Sequence, residues 1–187
     1  MTLTTREKVA ALTPLVEKLY RGHCWIKTPD GPRHIDEQFT EFMLAEHCAG
    51  RKAYGLCPIA PGESTTRVGL LDFDSHKGDT PWEIMWETAL NVAFVLEQEG
   101  LLPVLFRSGG GNGIHIYVLW DEPQDAYSVR MLLAGVLGQL GLKSGTGGVA
   151  KGQVEVFPKQ NEVPADGYGS MFVLPLAGQS EYLGDGV

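Results

Sequence analysis

The 187-residue chain is 43% hydrophobic and 20% charged, enough for one sizeable core and short for two, so one domain is expected. No apolar run approaches the roughly 18 residues that span a bilayer, and Met1 to Lys8 is polar with no signal-peptide core, so a cytoplasmic protein with no membrane partner is expected. A net charge of −8 argues against a broadly basic surface for gripping nucleic acid, although a local basic groove, or carboxylates offset by divalent ions, would be compatible with it.

Thr4-x-x-Glu7 is a capping-box pattern, and Val9, Leu12, Leu15, Val16 and Leu19 recur at helical spacing up to Gly22, which predicts a first amphipathic helix. After an irregular segment with Trp25, Pro29, Gly31 and Pro32, a second helix is expected from near Asp36 to Gly50, carrying Phe39, Phe42, Met43 and Ala45. Together they would form an N-terminal helical part, 1–53, ahead of a core over 54–187. A short strand is expected over Tyr54 to Ile59, a turn at Pro61 to Ser64, and a Val- and Leu-rich strand from Arg67 to Asp74. Thr80-Pro81-Trp82-Glu83 reads as a helix start with Thr as N-cap and Glu closing the box. In that helix Trp82, Met85, Trp86, Ala89, Leu90, Ala93 and Phe94 fall on one face, and the tryptophans read as core. Pro103–Arg107 and Ile114–Trp120 read as a hairpin joined by the glycine-rich Ser108 to Gly113, with His115 and Tyr117 on one face and Ile114, Ile116 and Val118 on the other. A helix over Gln124 to Gly141, a loop Ser144-Gly145-Thr146-Gly147-Gly148, a strand Gln153 to Phe157 and a last strand Ser170 to Leu174 complete an α+β pattern. Cys24, Cys48 and Cys57 lack C-x-x-C spacing and read as reduced, partly buried thiols.

Within this pattern Leu70-Leu71-Asp72-Phe73-Asp74 places two carboxylates on one face of a strand, where they repel unless a cation or strong donors lie between them. Alone, the pair is equally compatible with a turn or a capping feature. Glu155, inside Val154-Glu155-Val156, is costly to bury unpartnered, and with Asp72 and Asp74 in the same sheet a three-carboxylate cluster for one or two Mg²⁺ or Mn²⁺ ions becomes the better reading. His115 is either a half-buried structural residue or a phosphate contact. The preceding loop, with Gly111, Asn112 and Gly113, offers backbone N–H groups that can cradle a polyphosphate. Arg107, Lys151 and Lys159 flank these segments and either neutralise a triphosphate or are solvated surface charges.

Leu71-Asp72-Phe73-Asp74, the segment Ser108 to His115 ending in Gly-Ile-His, and Val154-Glu155-Val156-Phe157-Pro158-Lys159-Gln160 resemble, in order and spacing, the three motifs of the archaeo-eukaryotic primase superfamily. The branch they are most similar to is the primase-polymerase type of phages and mobile or conflict elements, whose third motif resembles E-x-F-P-K-Q followed by a strand ending in Leu-Pro-Leu, here Leu174-Pro175-Leu176. The resemblance runs from about Gly55 to Gly178. It implies an RRM-like catalytic sheet covered by helices, an N-terminal helical segment outside it, and a DNA primase or polymerase joining nucleoside triphosphates to a primer 3′-hydroxyl or a starting nucleotide. Asp72, Asp74 and Glu155 would then be catalytic ligands of two Mg²⁺ or Mn²⁺ ions. His115 and Lys159, with Ser108, Arg107 and Lys151 as weaker candidates, would hold the nucleotide. The serine often found two residues before the family's histidine is Gly113 here, so backbone contact would have to replace that hydroxyl. A metal-dependent nuclease and a non-catalytic single-stranded nucleic-acid-binding module are the alternatives. The acidity of the chain suggests a catalytic fragment of a longer protein, in which a helicase or other replication domain supplies affinity for the DNA template.

Overall fold

The computed structural model describes residues 3–185. The expected capping box opens α1 (Thr5–Val16): Glu7 N–H donates to Thr4 Oγ1 at 3.3 Å and Thr4 N–H donates to Glu7 Oε2 at 2.7 Å. The helix stops at Val16, short of the predicted Gly22, because Lys18 and Leu19 donate back three residues, to the Leu15 and Val16 carbonyls, and tighten the last turn. The segment expected to be irregular is instead a hairpin of β1 (Tyr20–Thr28) and β2 (Gly31–Ile35), paired from Cys24↔Ile35 to Thr28↔Gly31 around a Pro29-Asp30 turn. Gly31, at φ 112°, accepts a backbone conformation that side-chain-bearing residues rarely take. Then α2 (Glu41–Cys48) starts from Thr40, whose hydroxyl accepts from Met43 N–H at 3.3 Å. It buries Leu44 and Cys48, while Phe42 is exposed.

The chain continues through β3 (Tyr54–Cys57), β4 (Thr65–Phe73), α3 (Trp82–Gln98), β5 (Val104–Arg107), β6 (Ile114–Asp125), α4 (Ala126–Gln139), β7 (Lys143–Ser144), β8 (Gln153–Phe157), β9 (Phe172–Val173) and β10 (Tyr182–Asp185). Two sheets form, one in the order β10-β5-β6-β4-β8-β7 and the other β2-β1-β3-β9. Helices α3 and α4 cover one face of the larger sheet, as expected: Met85, Ala89, Leu133 and Val136 pack on Leu71, Phe73, Ile114, Ile116 and Val118. Its other face packs on the smaller sheet, where Leu70, Tyr117 and Phe157 meet Leu56 and Phe172, with Leu12 of α1 and Leu44 of α2 in the same core. The start of α3 differs from expectation. Pro81 is the N-cap and no side chain caps it, because the Thr80 hydroxyl lies against Asp79 Oδ1 at 3.3 Å. Trp82 and Trp86 pack on the core only partly buried and stack on each other at 6.5 Å. The three cysteines are buried and unbridged, as read.

Register places the functional residues. Opposite Leu70 lie Tyr117 on β6 and Phe157 on β8, and opposite Asp72 lie His115 and Glu155. Side chains two apart on a strand share a face, so the apolar row Tyr117–Leu70–Phe157 inside the inter-sheet core is followed one step along by the polar row His115–Asp72–Glu155. Asp74 extends that face just past the end of β4.

Candidate active site

The polar row opens into a cavity of about 510 Å³ between the sheets. Asp72, Asp74 and Glu155 line one wall with His115; Ser108, Gly109, Gly110, Asn112 and Gly113 of the glycine loop line another. Lys159, Ser75 and, from β1, Lys27 add to the polar lining.

The electrostatics are those of carboxylates crowded in a partly dry cleft. Burial, and then the charges of Asp72 and Glu155, push the Asp74 carboxyl up from 3.8 to about 6. His115 Nε2 lies 3.2 Å from Asp72 Oδ1, and the Tyr117 hydroxyl lies 3.5 Å from the other ring nitrogen, Nδ1. Burial pushes the His115 imidazole down, but the Asp72 and Asp74 carboxylates outweigh it, and its pKa ends above the ordinary value. Burial pushes the Tyr117 phenol far up, so it stays a neutral hydroxyl against the ring. On the other flank Lys159 Nζ pairs with Glu155 Oε2 at 2.6 Å and sits 4.6 Å from the centre of the Phe157 ring, which steadies the ammonium.

As they stand, His115 faces Asp72 Oδ1 and Lys159 pairs with Glu155 Oε2, and among the described residues no group of three or more His, Cys, Asp or Glu side chains is arranged to hold a metal ion. The donor set nonetheless fits a hard divalent cation. It consists of carboxylate oxygens; Asp72 Oδ1 is buried without a well-directed hydrogen bond, and burial with the Asp72 and Glu155 charges makes Asp74 hold its proton to unusually high pH.

The glycine loop is set by one serine. Ser108 Oγ accepts from Gly113 N–H at 3.0 Å, and Ser108 N–H donates to Gly113 carbonyl at 2.8 Å. A Cβ at Gly113 would lie 2.5 Å from the Phe73 carbonyl oxygen and 3.1 Å from Ser108 Oγ. The strand β4 therefore leaves no room for a side chain at 113, and the hydroxyl in this chain comes from position 108.

Of the residues singled out in the sequence, Asp72, Asp74, Glu155, His115, Lys159, Ser108, Asn112 and Gly113 all line the cavity. Three do not. Arg107 points to the helix-covered face, where its guanidinium lies 4.0 Å over the Trp82 ring and its Nε pairs with Glu181 at 3.0 Å. Gly111, at φ 82°, turns towards Gln179, and Lys151 is exposed beside Gly147, outside the cavity. Sequence reasoning missed Lys27, because its place depends on the smaller sheet packing over the larger. Its one signal was Pro29-Asp30-Gly31, a hairpin turn signature that fixes a strand over the preceding residues.

The cleft thus joins three carboxylates from adjacent strands of one sheet, a glycine hairpin and two lysines. The chain belongs to the archaeo-eukaryotic primase domain family of TOTE conflict systems, whose family model matches residues 14–187. The match includes the hairpin β1–β2 and α2 as well as the motif-bearing core. The fold is similar to that of the polymerase domain of Mycobacterium tuberculosis ligase D, solved in complex with DNA, with a TM-score of 0.55 at 17% identity over 92% of this chain and 75% of that one. No curated protein matches the sequence. Among the described residues, no helix is long and apolar enough to cross a membrane.

Proposed function

We propose that this chain is a template-directed nucleotidyltransferase that joins nucleoside triphosphates to a 3′-hydroxyl on DNA. The observation that carries the reading is the row His115–Asp72–Glu155 facing, in one cavity, a glycine loop and two lysines. Carboxylates alone would serve phosphodiester cleavage equally well. A glycine-rich loop lining the same cavity, an imidazole above its ordinary pKa and two ammonium groups fit a triphosphate instead.

In this reading Asp72, Asp74 and Glu155 hold the divalent cations. Mg²⁺ or Mn²⁺ bound there supplies charge neutralisation on the reacting phosphates and makes the attacking hydroxyl more acidic. His115 would donate to a phosphate oxygen from Nε2, with the Tyr117 hydroxyl against Nδ1 holding the ring. Lys159, released from Glu155, and Lys27 neutralise the triphosphate. Ser108 closes the loop, its hydroxyl accepting from Gly113 N–H and its carbonyl from Gly111 N–H. No side-chain nucleophile is involved; positioning and charge supply the rate.

Thermal unfolding with a nucleoside triphosphate and Mn²⁺ tests this. At a ligand concentration 100 times Kd, binding adds about 2.7 kcal/mol of stability. For a chain of this size that raises Tm by roughly 5–10 °C. The absence of any shift at saturating nucleotide, together with divalent-ion-dependent cleavage of DNA, would establish the nuclease reading in its place.

A further inference from the structure

We propose that the turn 176–181, between β9 and β10, is a strap that holds the glycine loop in place for the triphosphate, with Gln179 as its positioning residue; this rests on the nucleotidyltransferase reading above. Arg107 and Gly111, the two residues of the loop segment that stay out of the cavity, both meet this turn.

The strap is fixed before it reaches the loop. Leu174 N–H donates to the Tyr54 carbonyl at 2.9 Å, His47 Nε2 of α2 to the Pro175 carbonyl at 2.8 Å, and Lys8 Nζ of α1 to the Leu176 carbonyl at 3.3 Å. Ser180, itself buried, closes the turn: its Oγ accepts from Leu176 N–H at 2.8 Å and its N–H donates to the Ala177 carbonyl at 3.0 Å. Leu176 is buried and stands at φ 69°, a left-handed conformation that is costly for a residue with a Cβ. Such a conformation persists only where the surroundings over-determine it, and it clusters at places where the backbone has a task. Here it turns the chain back onto the glycine loop.

Three contacts join strap and loop. Gln179 N–H donates to the Gly109 carbonyl at 3.2 Å, and a Cβ at Gly178 would stand 2.9 Å from that carbonyl oxygen, so the two backbones touch. The Gln179 side chain lies across Gly111, where a Cβ would run into its Oε1 and Cδ. At the far end Arg107 N–H donates to the Glu181 carbonyl at 2.8 Å, while its Nε pairs with the Glu181 carboxylate at 3.0 Å and its guanidinium rests on Trp82. Arg107 therefore anchors the strap. Ala177 and Gly178, between these contacts, line the cavity together with Gly109 and Gly110.

The loop needs such support because Gly109, Gly110, Gly111 and Gly113 fall within six residues, and glycine loses more conformational freedom on ordering than any other residue. A free loop would spend part of each triphosphate's binding free energy on its own ordering, and a loop held beforehand keeps that free energy for affinity. Ser108 fixes the Gly111 and Gly113 N–H groups within the hairpin; the strap adds the Gly109 carbonyl and the cover over Gly111. Through Lys8 and His47 the support reaches back to α1 and α2, which lie outside the motif-bearing core.

Comparison of wild type, Gln179→Ala and Gln179→Met tests the proposal by steady-state primer extension and by amide hydrogen exchange over residues 108–113 without nucleotide. Gln179 is exposed, and Met keeps its length and its cover over Gly111 without the amide. A Tm within about 2–4 °C of wild type shows that both variants are folded. Gln179→Ala is expected to exchange faster across the loop, to raise KM for the complementary triphosphate about five- to tenfold, and to leave kcat and KM for the primer within about twofold. Gln179→Met should stay within about twofold of wild type throughout. An unchanged triphosphate KM in Gln179→Ala, an equal rise in KM for the primer, or a raised KM with unchanged loop exchange overturns the strap, while wild-type synthesis leaves the broader reading standing. Gln179→Met as impaired as Gln179→Ala places the amide on the substrate itself and overturns the positioning role. A wild type without synthesis overturns both readings.

Discussion

Replacing Asp74 by Asn should make the ion-free protein more stable and inactive at once. The Asp74 carboxyl titrates near 3.8 when unfolded and near 6 in the fold, because burial and the neighbouring Asp72 and Glu155 charges oppose its ionisation. Between those values the folded state keeps a proton that the unfolded state releases, so stability falls as pH rises from about 4 to about 6 and stays low above that. Two pKa units correspond to about 3 kcal/mol at 1.36 kcal/mol per unit. Asp74 is partly open to water, and screening reduces the figure to about 1–2 kcal/mol. Asn has nearly the same shape and no charge, and it leaves the Asp74 carbonyl free to accept from Val149 N–H, a 3.0 Å bond of the backbone. Calorimetry in chelator at pH 7.5 should therefore show Asp74→Asn melting about 2–8 °C above wild type. At pH 4 the difference should vanish. Added Mn²⁺ should stabilise wild type more than the variant, closing the gap. A variant no more stable than wild type at pH 7.5, or equally stabilised at both pH values, would refute the picture of carboxylates crowded in a partly dry cleft.

Three further outcomes follow from the geometry. Gly113→Ser, which restores the residue common in related motifs, forces a Cβ to 2.5 Å from the Phe73 carbonyl; it should cost about 1–3 kcal/mol in chemical denaturation and lower incorporation at least tenfold, and a variant as stable and active as wild type would contradict this. His47→Leu removes a buried ring that accepts from Tyr54 N–H at 3.0 Å and donates to the Pro175 carbonyl at 2.8 Å, so each orphaned partner should cost about 1–3 kcal/mol. Burial holds the His47 pKa below its ordinary value, so its contribution is present above about pH 6.5 and is lost as pH falls, a Tm drop between pH 7 and 5 that the Leu variant should lack. Lys27→Gln should raise KM for the triphosphate several-fold, least at high salt, and leave Tm unchanged; an effect confined to Tm would remove Lys27 from the site.

The polar row was legible because its residues obey the strand period: Asp72 with Asp74, His115 with Tyr117, and Glu155 between two valines all announce a face. The three-carboxylate cluster was read from the residues, but its register with His115 in one row was not, since it depends on pairing between strands far apart in the chain. Asp72 opposite both His115 and Glu155 is what the structure adds. The smaller sheet was largely missed. In β1 the buried His23 and half-buried Trp25 alternate with Cys24 and Ile26, so no polar face marks the strand, and β9 spans only two residues, Phe172–Val173. Arg107 illustrates the opposite error: proximity in sequence to the glycine loop suggested a phosphate ligand, but alternation along β5 turns it to the helix-covered face and Glu181. Lys27 enters the cavity from that missed sheet, and the Pro29-Asp30-Gly31 turn after it is its one local signal.

The most direct measurement is extension of a primer on four DNA templates that differ only in the templating base, with each nucleoside triphosphate supplied singly in Mg²⁺ or Mn²⁺. Addition of the complementary nucleotide alone, abolished by chelator and reduced at least about a thousandfold by Asp72→Asn, is the predicted result. Addition that ignores the template, or undiminished synthesis by Asp72→Asn, would contradict it.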